Sequence, residues 1–70
     1  MTYGEALNAI DIRAYEDNIE IRRWRLGVVE SMEMGCFSTA AHFYLLLKEL
    51  PHVRIDPKIT ALLMLEGQLL

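Results

Sequence analysis

The sequence has no proline before Pro51, only 4 glycines and a single cysteine, Cys36. Each scarcity excludes something. With so few breakers, little before Pro51 has to interrupt a helix. One cysteine cannot close an internal disulfide, and the opening MTYGEALNAID lacks the basic start and apolar stretch of a secretory leader, so the free thiol suits a reducing cytoplasm. No apolar run approaches the ~20 residues of a membrane span. A surplus of positive charge is missing too: the net charge of -3 argues against general attraction to nucleic acid or anionic membrane.

Apolar side chains, in contrast, are plentiful, at 53% of the 70 residues. A chain of this length is expected to form one domain over residues 1–70 and to bury only about 60% of the surface exposed when unfolded. The surplus predicts apolar surface that meets another chain, since neither a disulfide nor a metal is available to reinforce so small a core.

Helix is the economical reading of the order of residues. Thr2 and Glu5 have capping-box spacing, which starts a first helix at Tyr3. Leu7, Ile10 and Ala14, then Ile21, Trp24 and Val28, recur at helical steps, and a second apolar line runs through Ile12, Tyr15, Ile19, Leu26 and Val29. Arg13, Glu16, Glu20 and Arg23 form the wet line between them. Asp17 and Asn18 are the one plausible break, so the region up to Met34 reads either as one helix or as two.

Gly35 then fits a left-handed helix end, with Ser38 as the next cap and Phe37 as its staple. A helix over Thr39–Leu50 is apolar on nearly every side and ends at Pro51. Asp56 and Pro57 supply a cap and a favoured first position for the last helix, where Ile59, Leu62, Leu63, Leu69 and Leu70 are apolar. A hairpin competes at one place, because Ile19 to Val28 partly alternates, but its phase slips at Arg22-Arg23.

Candidate chemistry is sparse. Cys36 and His42 form the one pair suggestive of a nucleophile and base, yet no carboxylate stands ready to orient the imidazole. His42, His52, Cys36 and Asp56 lack paired metal-ligand spacing, and the glycines are too scattered for a phosphate cradle. The sequence therefore predicts no enzyme, no metal and no cofactor. Arg22, Arg23 and Arg25 around Trp24, with the helix-Gly35-helix outline, allow a helix-turn-helix regulator as the alternative. The segment from Ser38 to Leu47 argues against it, because it carries no Arg or Lys to reach phosphates or base edges.

Trp24, the Leu26-Gly27 pair, Gly35, Phe37, Ala40, Tyr44 and Pro51 together resemble a tetratricopeptide repeat, and Asp56-Pro57 with Leu65, Gly67 and Leu70 resembles the opening of a second. About one and a half units are present. The resemblance implies a protein-binding or chaperone-like adaptor that leans on partner helices. The expectation is thus an all-α array of three or four helices in antiparallel hairpins, binding another protein chain as a homo-oligomer or hetero-complex. Its expected interface comprises Trp24, Phe43, Tyr44, Leu47, Leu69 and Leu70.

Overall fold

A computed structural model describes residues 1–69 and contains, among them, four α-helices and one short β-ribbon. The first helix, α1 (Tyr3–Asn8), opens with the full capping box. The Thr2 amide donates to Glu5 Oε1 and the Glu5 amide donates to Thr2 Oγ1, both at 3.1 Å, so two amides with no helical partner are satisfied reciprocally.

The chain does not continue as helix. Strand β1 (Ile10–Asp11) follows, then a 3-10 turn at Arg13–Tyr15, and α2 (Ile19–Glu33) begins only after Asn18, whose side chain accepts from the Ile21 amide at 3.1 Å. The break at Asp17-Asn18 is real and wider than the sequence reading, which let helix run on through Ile10, Ile12 and Tyr15. Tertiary contacts explain the difference. Strand β1 pairs antiparallel with β2 (Arg54–Ile55), matching Ile10 with Ile55, and the Asp56 amide donates to the Ala9 carbonyl at 2.7 Å. Ile10 and Ile12 both go inside, and Tyr15 Oη donates to the Pro51 carbonyl at 2.7 Å. The two long connections thereby hold each other.

The hairpin alternative at Ile19 to Val28 is replaced by α2 itself. That helix ends in a Schellman arrangement: the Cys36 amide donates to the Ser31 carbonyl at 2.8 Å and the Gly35 amide to Met32 at 3.1 Å, with Gly35 at φ +78°. Helix α3 (Phe37–Lys48) starts two residues before the expected Thr39, because Cys36, not Ser38, occupies the cap position. Ser38 lies inside the first turn, and no side chain caps this end. The last helix, α4 (Pro57–Leu65), is capped by Asp56, whose carboxylate accepts from the Lys58 amide at 2.9 Å.

The core is shared by every element. Ala6, Ile10, Ile12, Ile21, Val28, Val29, Ala40, Tyr44, Leu47, Ile59 and Leu63 are all buried in one cluster. Its closest seam joins α2 to α3. A Cβ placed on Gly27 would lie 2.6 Å from Cδ2 of Phe43, so glycine there admits the ring against the α2 backbone. The architecture is all-α, with α2 and α3 as an antiparallel hairpin.

Candidate interaction surface

The six residues expected at an interface separate into three groups. Tyr44 and Leu47 are core residues: Leu47 is fully buried, and Tyr44 is buried with its hydroxyl 2.7 Å from Thr60 Oγ1. Their expected interface role is corrected, because the buried side of α3 runs through Ala40, Tyr44 and Leu47 and is covered by the chain's own helices. Trp24, Phe43 and Leu69 are half-buried and pack onto the cluster from its edge. Leu70 lies outside the described residues.

Other residues carry the exposed apolar surface. Eight large hydrophobic side chains are exposed among the described residues: Met1, Tyr3, Ile19, Leu26, Met34, Leu45, Met64 and Leu65. Three of them lie along one side of α2, Ile19 and Leu26 within it and Met34 at its C-cap. Ile19 is 65% exposed, Leu26 lies two turns on, and Met34, the last of the three, is 77% exposed. Steps of seven and eight residues return to the same helix face. Ile19 and Leu26 belong to the second apolar line that the sequence spacing predicts, with Ile12, Tyr15 and Val29. With α2 beginning at Ile19, its buried side passes through Ile21, Val28 and Val29, so Val29 and, ahead of the helix, Ile12 go inside while Ile19 and Leu26 turn outward.

Charge on this face is sorted by position. Ile19 and Leu26 with Arg22 and Arg23 line one shallow cleft of about 160 Å³, while Tyr3 and Met34 with Glu30 and Glu33 line another of about 460 Å³. All four of these charged side chains are exposed, and the one ion pair among the described residues lies elsewhere, between Arg13 and Asp11 at 2.9 Å. The guanidinium of Arg13 and then its amide bond the Asp11 carboxylate, holding it below its ordinary range, and the same contact raises Arg13. Glu5 is likewise lowered by the Thr2 amide and hydroxyl.

A third cleft, of about 390 Å³, gathers Arg13, Arg22 and Arg25 with Asp11 and Glu16. Its positive charge is largely committed. Arg13 is held by Asp11, and Arg25 donates from Nε and Nη2 to the Leu7 carbonyl at 3.1 and 2.6 Å, satisfying the C-terminal end of α1. Arg25 thus bonds a backbone carbonyl of α1 and not a carboxylate.

Cys36 is exposed in the turn and His42 is exposed on α3, where its ring meets Phe43 edge-on at 5.6 Å. Among the described residues no three His, Cys, Asp or Glu side chains converge as metal ligands, and no helix is long and apolar enough to cross a membrane. No protein-family model, curated protein or solved structure matches the chain.

Proposed function

We propose that this chain is a non-catalytic protein-interaction module, an adaptor or chaperone-like subunit that associates through apolar helix faces. The observation that carries the reading is the set of large apolar side chains left on the surface beside a closed core of the same residue types. Single exposed hydrophobics are ordinary, whereas Ile19, Leu26 and Met34 repeat along one helix and Met64 and Leu65 sit together on another. In this reading the α2–α3 hairpin acts as one repeat-like unit whose outer faces await partner helices. The proposed setting is the cytoplasm, in keeping with the free, exposed thiol of Cys36.

Charge supports protein over nucleic acid as the partner class. The helix after the turn, α3, carries a single basic residue, Lys48, in its last turn, and two of the clustered arginines are already engaged. The test is solution mass by light scattering, on the purified chain and on the species recovered through it from native extract. Association in either sample is expected. A monomer in both, or duplex DNA binding that falls steeply with salt, overturns the reading.

A further inference from the structure

Four charges on the outer face of α2 are arranged against the needs of α2 itself, whereas Glu20 in its first turn is placed in their favour. Arg22 and Arg23 lie near its N-terminal end, and Glu30 and Glu33 lie in its final turns. A helix carries partial positive charge at its N-terminus and partial negative charge at its C-terminus, so basic residues early and acidic residues late are the disfavoured arrangement. None of the four has an ion-pair partner among the described residues. Each is exposed and shares its side of the helix with Ile19, Leu26 or Met34.

One occupant satisfies the apolar and charged parts together. We infer that this face binds a second copy of the chain, α2 against α2, antiparallel about a two-fold axis near Leu26 and Gly27. In that register Ile19 of one copy lies opposite Met34 of the other, Arg23 opposite Glu30, and Leu26 beside Leu26. Arg22 falls axially between Glu30 and Glu33 of the second copy. The pattern is self-complementary, as a two-fold interface requires: each basic half meets the acidic half of its mate. Antiparallel helices also set each N-terminus beside the other's C-terminus, which turns the disfavoured charge order into a favourable one.

Fifteen residues of helix give a seam about 22 Å long. A seam one helix wide belongs with the smaller interfaces, below about 1,200 Å², so the association is expected in the micromolar range and weakened by salt. This inference rests on the association reading above and names its partner, and the experiment separates the two.

The measurement is sedimentation equilibrium from about 1 μM to about 1 mM, a window spanning weak association. The chain is compared with Arg22→Glu/Arg23→Glu, with Glu30→Lys/Glu33→Lys, and with the two variants mixed in equal amounts. The unmodified chain should dimerise. Each variant, now of one charge sign along the face, should associate at least about tenfold more weakly, and the mixture should regain the dimer as a heterodimer of opposite faces. Leu26→Asp, which leaves all four charges in place, should also dissociate it. A chain that stays monomeric throughout, or a dimer indifferent to the reversals, overturns the inference. The broader reading survives either result if the dimer forms through another face or a different protein is recovered in stoichiometric complex, and it falls with the inference if neither occurs.

Discussion

The two sides of α2 are built from similar residues and have opposite fates. Its inner side places Ile21, Val28 and Val29 in the core, with Gly27 open to the ring of Phe43. Its outer side carries Ile19, Leu26 and Met34, just as apolar, in solvent between arginines and glutamates. Hydrophobicity alone therefore does not mark the interior of this chain. The close approach of α3 and the start of α2 at Asn18 decide which apolar line is covered, and the line left outside becomes surface that can bind.

The sharpest way to break the contrast is from the inside. Leu47→Ala removes a fully buried side chain from the centre of the cluster and should lower the unfolding free energy by about 2–5 kcal/mol. For a domain this small that is a large share of the total. Urea or thermal unfolding followed by circular dichroism measures it. A loss below about 1 kcal/mol would mean that the inner seam is no better packed than the outer face.

A smaller effect is expected at the closest contact. Gly27→Ala gains about 1 kcal/mol of helix propensity, yet its methyl would lie 2.6 Å from the Phe43 ring, and overpacking of that kind costs about 1–3 kcal/mol. The net change should be destabilising. In a Phe43→Leu background the same substitution should become neutral or stabilising, and a double-mutant cycle on unfolding free energies reads the coupling. If Gly27→Ala stabilises the unmodified chain outright, the glycine is not there to admit the ring.

Local signals were the legible part of this chain. Thr2 with Glu5, Gly35, and Asp56 with Pro57 each fix a helix end through atoms close in sequence, and each does so in the fold. The β-ribbon was not legible, because two-residue strands offer no alternation and Ile10 meets Ile55 only through tertiary closure. That unseen ribbon took Ile10 and Ile12 out of helix. Tyr44 and Leu47 were misplaced for a related reason: with Ala40, Ala41, Phe43, Leu45 and Leu46 around them, α3 is apolar on most sides, so its composition does not say which side α2 covers. The segregation of Arg22 and Arg23 from Glu30 and Glu33 stands openly in the sequence. Its meaning depends on the burial phase of α2, which the ribbon and the Asn18 cap set.

The smallest effect is expected on the outer face. Leu26→Gln replaces a side chain that is 39% exposed and lies on the solvent side of α2, away from the buried cluster. Glutamine and leucine have nearly equal helix propensity, so backbone preference does not confound the change. Monomer stability, measured at protein concentrations where the chain is dissociated, should change by no more than about 0.5 kcal/mol. At high concentration the same substitution should lower the thermal midpoint of the unmodified chain's dimer, because a species that binds only the folded state stabilises it by mass action. A concentration-dependent midpoint that Leu26→Gln abolishes, beside an unchanged monomer, would separate binding surface from core on one helix. A loss at low concentration as large as that from Leu47→Ala would show that the outer line also belongs to the monomer's interior.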